Sequence, residues 1–146
     1  MAKTIVVAID LLEDNKIQRM IADVQFLAKN PQHYFHFIAV MPNLRALETY
    51  NIHCDSESIT EKKDKALTML TEKLTSCVQQ FKLPTLQYCC HAVIGTPNYN
   101  ILAYADKIDA DMIVIGSSSR NKDNITFGST ADYIVNNTSR SVFIIR

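Results

Sequence analysis

A polar loop bounded by glycines near the C-terminus carries the clearest chemistry in this sequence. It follows an apolar stretch, Met112–Gly116, which is typical of a strand buried on both faces. Gly128 and Ser129 stand directly before apolar residues at helical spacing, so Ser129 is predicted to cap a helix. The free N–H groups of a helix N-terminus bind anions. Hydroxyl groups add donors at the same place from Ser117, Ser118, Ser119, Ser129 and Thr130. The loop therefore predicts a phosphate site.

Three charged residues are candidates for contacts with such a ligand. Arg120 and Lys122 lie in the loop and would add positive charge, although two solvated loop cations are an equally good interpretation. Asp10 ends the first apolar stretch, and ligands of open α/β sheets gather at the carboxyl ends of strands. The alternative role for Asp10 is to cap the helix that follows.

Length and composition narrow the classes of function. The chain has 146 residues, enough for one domain that buries about two thirds of its unfolded surface. Fifteen basic and fifteen acidic residues give zero net charge, which disfavours nonspecific binding to nucleic acid or to an anionic membrane. The apolar run at residues 4–9 is too short for a signal sequence or a membrane span. We therefore expect a single domain over residues 1–146, located in the cytoplasm, with neither nucleic acid nor membrane as a partner.

The cysteines and histidines show no metal-binding or redox motif. The four cysteines lack C-x-x-C spacing, and the adjacent Cys89 and Cys90 are predicted to point to opposite faces of a strand. The four histidines include no i, i+4 pair on a helix. We expect reduced cysteines in or near the core and no metal site formed by protein side chains alone.

The elements that position these residues alternate along the chain. Apolar runs predict strands at 4–10, 34–40, 86–94, 112–116 and 141–146. Helical spacing and capping residues predict helices at 14–29 and 58–81, and two more that start at Thr96-Pro97 and at Ser129. Residues 42–57 have no clean period and predict a long loop. The alternation predicts a doubly wound, Rossmann-like α/β fold, in which a parallel sheet of five strands carries four helices on its two faces.

From Gly95 onwards the sequence resembles the C-terminal half of a universal stress protein. The shared features are Gly95-x-Pro97, Ala-Asp-x-Ile-Val-Ile-Gly at 110–116, Gly128-Ser129 and the closing Ser-Val-Phe-Ile-Ile-Arg. The family's nucleotide loop reads Gly, two residues, Gly, nine residues, Gly, then Ser or Thr. Here Ser119 takes the place of the second glycine, and eight residues separate it from Gly128. This short, substituted loop resembles that of small single-domain bacterial members of the F/G type.

This resemblance implies a fold, a ligand and an assembly. It implies the strand order 3-2-1-4-5, whose switch point lies between strands one and four. It implies that ATP binds there, with or without Mg²⁺, and that a homodimer forms through the apolar strand at 141–146. The implied ATP-binding residues are Ala8, Asp10, Val40, Gly116, Ser118, Ser119, Arg120, Gly128, Ser129 and Thr130. Among them, Asp10 is the one candidate contact for Mg²⁺.

Three functions remain open on the sequence. The first is an ATP-binding stress-response protein that holds the nucleotide in the crevice between strands one and four. The second is a dimeric interaction module of the same fold that no longer binds nucleotide, which Ser119 and the shortened loop favour. The third, an enzyme, is the weakest hypothesis, because the spacing of the residues indicates no catalytic triad, no paired catalytic carboxylates and no activated cysteine. At most we expect slow ATP hydrolysis or autophosphorylation on a hydroxyl group of Ser119, Ser129 or Thr130.

Overall fold

Strands and helices alternate along the residues that the computed structural model describes, which are 2–55, 58–117 and 128–146. The strands are β1 (Thr4–Ala8), β2 (Tyr34–Met41), β3 (Tyr88–Ile94), β4 (Met112–Gly116) and β5 (Ser141–Ile145). The α-helices are α1 (Asp14–Leu27), α2 (Ile59–Val78), α3 (Pro97–Lys107) and α4 (Ser129–Asn137). Short 3-10 helices cover Leu44–Ala46, Gln79–Phe81 and Thr85–Gln87. Within the described ranges, no helix combines the length and the apolar character that a membrane span requires.

The strands form one parallel sheet in the order β3-β2-β1-β4-β5. β1 is central and pairs on both sides, with Ala8 opposite Ile38 of β2 and opposite Ile115 of β4. The predicted doubly wound α/β fold and the strand order 3-2-1-4-5 are therefore confirmed. Because the winding changes direction between β1 and β4, the connections that leave these two strands diverge and open a crevice at their carboxyl ends.

Two apolar clusters cover the two faces of the sheet. Ile5 and Val7 of β1 pack with α1 and α2, whereas Val6 and Ala8 pack with α3 and α4. All four side chains are buried. A strand covered on both faces gains nothing from alternating apolar and polar residues, which explains the unbroken apolar run in the sequence.

The start of β3 differs from the prediction by two residues. Residues 86–94 were expected to form the strand, but Thr85–Gln87 forms a 3-10 turn in which Leu86 is 93% exposed. The Gln87 side chain is buried and donates to the main-chain carbonyls of Ala28 and Asn30 at 3.0 and 2.9 Å. This tie to the end of α1 holds the segment away from the sheet until Tyr88.

The predicted cap of α4 is wrong by one position. Gly128 is the N-cap, with φ 88° and ψ 161°, and Ser129 is the first helical residue. A residue with a side chain is strained at such a φ, so glycine makes the turn into the helix. The Ser129 side chain is exposed.

The stretch after β2, predicted as a long loop, is partly packed into the protein. It begins with the 3-10 turn Leu44–Ala46, and the side chains of Leu47, Tyr50 and Ile52 are buried against Met41 and the first half of α2. These contacts hold Tyr50 beside the carboxyl end of β2, where a ligand of this sheet would bind.

Candidate functional site

A cavity of about 270 Å³ lies at the carboxyl ends of β1, β2 and β4. Four of the residues predicted for the site line it: Ala8, Asp10, Val40 and Thr130. The other described lining residues are Ile9, Leu12, Lys16, Ile38, Pro42, Tyr50, Pro97, Ile101 and Ile115. Most of this wall is apolar, and its ionisable groups are few, a combination that is typical of sites for small organic ligands.

Asp10 shapes the turn between β1 and α1 and borders the cavity. The chain leaves β1 with the Ile9 N–H donating to the Ile38 carbonyl at 2.8 Å. The Asp10 Oδ1 atom then accepts the Leu12 N–H at 3.1 Å, and its main-chain carbonyl accepts the Glu13 N–H at 3.1 Å. The N-cap of α1 is Glu13, so Asp10 stabilises the turn before the helix and does not cap the helix itself.

Lys16, in the first turn of α1, is the principal residue that the sequence reasoning missed. Its side chain is 7% exposed and lines the cavity. A Cβ atom added to Gly116 would lie 2.8 Å from Lys16 Cγ and 3.1 Å from Met20 Sδ. The φ angle of Gly116 is not in the left-handed region, so the glycine is needed here for space and not for an unusual backbone conformation.

The electrostatic state of Lys16 favours an anionic ligand. Burial lowers the pKa of its ammonium group below the ordinary lysine value, and the carboxylates of Asp10 and Glu13 oppose that shift only in part. Removing a charged group from water costs free energy unless an opposite charge or hydrogen bonds compensate. A phosphate in the adjoining cavity would supply that compensation.

Arg19, one turn after Lys16, holds the start of the predicted phosphate loop. Its Nη2 donates to the Ser117 carbonyl at 2.7 Å, and its Nη1 makes a longer contact of 3.5 Å with Ser117 Oγ. The Ser117 N–H donates to the Ile145 carbonyl at 2.8 Å. Ser117 is 2% exposed and is fixed between α1 and β5, and its hydroxyl oxygen faces the Arg19 guanidinium group. The predicted contact of this hydroxyl with a phosphate stays a prediction.

The remaining predicted residues fall into two groups. Gly116 adjoins the cavity through Lys16, and Gly128 and Ser129 precede the lining residue Thr130 without belonging to the described lining. The other predicted residues, together with Lys122, lie outside the described residues: Ser118, Ser119 and Arg120. Among the described residues, no group of three or more His, Cys, Asp or Glu side chains is arranged to hold a metal ion.

A sequence signal for Lys16 existed. Lys16 is followed by Ile17 and stands four residues before Met20, so it lies on the apolar stripe of α1, where a lysine is out of place unless it has a partner. Arg19 adjoins the same stripe. Neither residue belongs to the loop on which the sequence reasoning concentrated.

A larger groove of about 590 Å³ lies between α1, α2 and residues 48–51. Its polar lining includes Glu48, Lys73, Ser76 and Gln80. No described strand residue lines this groove, and apart from Leu12 and Tyr50 it shares no residue with the cavity at the strand ends. The smaller cavity is the better candidate, because it occupies the switch point of the sheet.

Comparison with known sequences identifies one family. A sequence model of the Universal stress protein family matches residues 1–146. Universal stress protein G of Escherichia coli O157:H7 is 23% identical over 146 residues, covering all of both chains. Universal stress protein G of Salmonella typhimurium is 24% identical over 147 residues, also with full coverage of both chains.

Comparison with solved structures gives the same fold. A universal stress protein from Archaeoglobus fulgidus matches with a TM-score of 0.68 at 21% identity, covering all of both chains. The structure titled as the Archaeoglobus fulgidus protein in complex with dAMP matches with a TM-score of 0.60 at 23% identity, covering 99% and 98% of the two chains. A universal stress protein in complex with cAMP matches with a TM-score of 0.59 at 16% identity, covering 99% and 97%.

Proposed function

This chain belongs to the universal stress protein family, and on that premise we propose that it is a stress-response protein that binds ATP at the crevice between β1 and β4. The observation that carries the proposal is the largely buried Lys16 side chain, which brings a cation to a cavity that is otherwise mostly apolar. An apolar wall suits a base, and a buried cation suits a phosphate chain, so the cavity matches the two chemically different ends of a nucleotide.

Each end of the nucleotide has its own set of residues in this proposal. The adenine ring lies against Val40 and the apolar wall near Ala8, and Asp10 contacts the sugar side of the nucleotide. The phosphates extend toward Lys16 and toward the start of α4, where Gly128, Ser129 and Thr130 lead into the helix. Gly116, Ser118, Ser119 and Arg120 complete the predicted site. Structures of the same fold titled as complexes with dAMP and cAMP support an adenine nucleotide as the ligand class.

In this proposal ATP binds with or without Mg²⁺. The phosphates would supply most of its ligands, and Asp10 is the one residue of the described lining with a carboxylate that can contact it. Asp10→Ala should therefore reduce the dependence of the ATP affinity on Mg²⁺.

We further propose that ATP is held and not rapidly consumed. Fast phosphoryl transfer needs a positioned metal ion, a group that orients the attacking water or hydroxyl, and a cation at the transferring phosphate. Lys16 could supply the cation and Asp10 a contact for the metal ion, but neither orients the attacking water or hydroxyl. Turnover should therefore lie far below the median enzyme rate of about 10 per second. Incubation with radiolabelled ATP and Mg²⁺ tests this, because multiple turnovers at ordinary enzyme rates that are lost in Asp10→Ala would identify an ATPase.

The assembly in this proposal is a cytoplasmic homodimer of single-domain chains. β5 is an edge strand of the sheet, and Val142, Phe143 and Ile144 are only partly buried. An apolar edge strand is an open template for pairing, which a two-fold partner covers symmetrically. The alternative function is a dimer of this fold that binds partners and no nucleotide.

Mass spectrometry of the natively purified protein distinguishes the two functions. ATP binding predicts an adenine nucleotide that co-purifies and is released on denaturation. If the protein is instead an interaction module, the dimer should have the mass of two chains without nucleotide. A dimer that still lacks nucleotide after incubation with millimolar ATP would support the interaction module.

A further inference from the structure

A second chemical cluster lies where β2 and β3 meet α3. It consists of one thiol, two imidazoles and two phenols, here called the thiol cluster: Tyr34, His36, Cys89, His91 and Tyr104. All five side chains are partly exposed, and none of them lines the cavity at the strand ends. The proposed ATP site makes no use of them.

Three polar groups converge on the Cys89 sulfur atom. Cys89 stands directly opposite His36 in the β2–β3 register, and its Sγ is 3.1 Å from His36 Nδ1. Burial and the neighbouring Cys89 thiol raise the pKa of the Tyr34 and Tyr104 hydroxyl groups, which places both phenols beside the sulfur. The same Nδ1 atom is 2.8 Å from the Tyr104 hydroxyl oxygen. The sulfur therefore has an adjacent base and two phenol hydroxyl groups beside it.

Ring contacts hold these groups in place. The His91 ring stacks on the Tyr104 ring, with centroids 4.5 Å apart and planes at 20°. The His36 ring packs edge-on against Tyr34 at 5.1 Å and against Tyr104 at 5.6 Å. Because the Tyr104 phenol and the His36 imidazole are each held by two ring contacts, they need little reordering when a charge develops on the sulfur.

His36 is in the state that a general base requires. Burial lowers its pKa below the ordinary histidine value, and the neighbouring His91 lowers it further. The His36 imidazole is therefore neutral at pH 7, and when its proton is on Nε2 the electron pair on Nδ1 accepts from the Cys89 thiol or from the Tyr104 hydroxyl. The titratable groups around it are Tyr34, Cys89, His91 and Tyr104, with Lys107 acting on His91.

The other cysteines lack this environment. Cys77 is buried, and burial raises the pKa of its thiol to about 11. Burial also raises the pKa of Cys90, which points to the opposite face of the sheet and packs in the cluster beneath α1 and α2. Cys54 is partly exposed, but within the described residues its thiol has no hydrogen-bond partner of the kind that His36 gives Cys89. Cys89 alone, within the described part of the chain, combines exposure with a base in contact.

We propose that Cys89 is a site of reversible thiol modification by small-molecule disulfides, with His36 as its general base. The Cys89 thiol gives its proton to His36 Nδ1, and the resulting thiolate attacks one sulfur of the disulfide. The bond between the two disulfide sulfurs breaks as a new bond to Cys89 Sγ forms. The departing thiolate then takes the proton from His36. Cys89 is oxidised to a mixed disulfide, and the half of the reagent disulfide that leaves is reduced to a thiol.

Oxidised glutathione is a suitable probe, with peptide mapping by mass spectrometry to follow each cysteine over time. We expect Cys89 to be modified first and dithiothreitol to reverse the product. In His36→Gln the rate at Cys89 should fall by about tenfold or more, because a positioned general base contributes on the order of a hundredfold or more. Modification of Cys54 serves as the internal control, because its rate should be the same in both proteins.

Two results would overturn the proposal. One is that Cys54 reacts before Cys89 in the wild-type protein. The other is an unchanged Cys89 rate in a folded His36→Gln variant. If circular dichroism shows that His36→Gln does not fold, Tyr104→Phe decides, since it removes one hydroxyl donor and keeps the ring. Slower reaction at Cys89 then supports the proposal, and an equal rate contradicts it.

Discussion

The Cγ atom of Lys16 lies 2.8 Å from the point where a Cβ atom on Gly116 would stand. The glycine that ends β4 thus leaves the space through which a lysine of α1 reaches the cavity. Gly116, the first glycine of the loop motif, is therefore required because the Lys16 side chain occupies the space beside it. The ammonium group of Lys16 is part of the proposed phosphate site.

Gly116→Ala is expected to destabilise the protein and displace Lys16. The added methyl group would overlap Lys16 Cγ and press on Met20 Sδ, and overpacking of this kind costs about 1–3 kcal/mol. Urea denaturation measures the loss. In a Lys16→Ala background the cost of Gly116→Ala should shrink, because the closer of the two obstacles is gone; a fully additive double mutant would show that the two residues do not interact.

Lys16→Met should weaken binding of ATP without weakening binding of adenosine. The substitution keeps an unbranched side chain of similar length and removes the ammonium group. Loss of a hydrogen bond to a charged group costs about 1.5–3 kcal/mol, which corresponds to roughly 10- to 150-fold in affinity. Parallel calorimetric titrations with the two ligands test this. Equal losses for ATP and adenosine would mean that Lys16 supports the cavity and does not contact the phosphates.

The pH dependence of stability should differ between the wild-type protein and Lys16→Met. Burial lowers the pKa of Lys16 in the folded state, so between that pKa and the unfolded value of about 10.4 the unfolded chain binds more protons. As pH rises toward 10, the free energy of unfolding should therefore increase in the wild-type protein relative to the variant. Urea denaturation of both proteins at pH 7 and at pH 10 measures the difference, and a difference that is constant with pH would contradict the assignment.

Much of the fold could be predicted because local pattern and packing agree. Unbroken apolar runs predicted β1 and β4, which are covered by helices on both faces. The start of β3 could not be predicted, since the buried Gln87 side chain binds carbonyls nearly sixty residues earlier in the chain. Such a contact leaves no local signal. The cap of α4 was misplaced because Ser129 is a good N-cap by type, whereas the observed turn needs the positive φ of Gly128.

The candidate site was only partly predictable for a similar reason. Ala8, Asp10, Val40 and Thr130 come from different parts of the sequence and do line one cavity. The ATP contacts assigned to them, and to the residues outside the described ranges, stay predictions. Lys16 was missed because a lysine in the first turn of a helix normally extends into solvent, so its place on the apolar stripe of α1 was passed over. The position of α1 beside β4 shows that the side chain is buried.

Val142→Asp is expected to dissociate the proposed dimer. A carboxylate introduced on the partly buried edge strand β5 would be repelled by its symmetry mate and would lose its water in the interface. Light scattering at micromolar concentration should show a species of twice 16.5 kDa for the wild-type protein and a smaller average mass for the variant. Ser141→Asp, at the exposed start of the same strand, is the matched control and should leave the dimer intact. A wild-type protein that is monomeric at every concentration would contradict the dimer.

The most direct test of the central claim is a calorimetric titration of ATP into nucleotide-free protein, run beside the variant Gly128→Ala. Gly128 is the N-cap of α4 at φ 88°, where a methyl group strains the turn that leads the chain to Thr130 in the cavity. We predict saturable binding of one ATP per wild-type chain and a clearly weaker affinity in a variant that circular dichroism shows to be folded. Absence of ATP binding by the wild-type protein at millimolar concentration would contradict the account, and an unchanged affinity in Gly128→Ala would place the phosphates elsewhere.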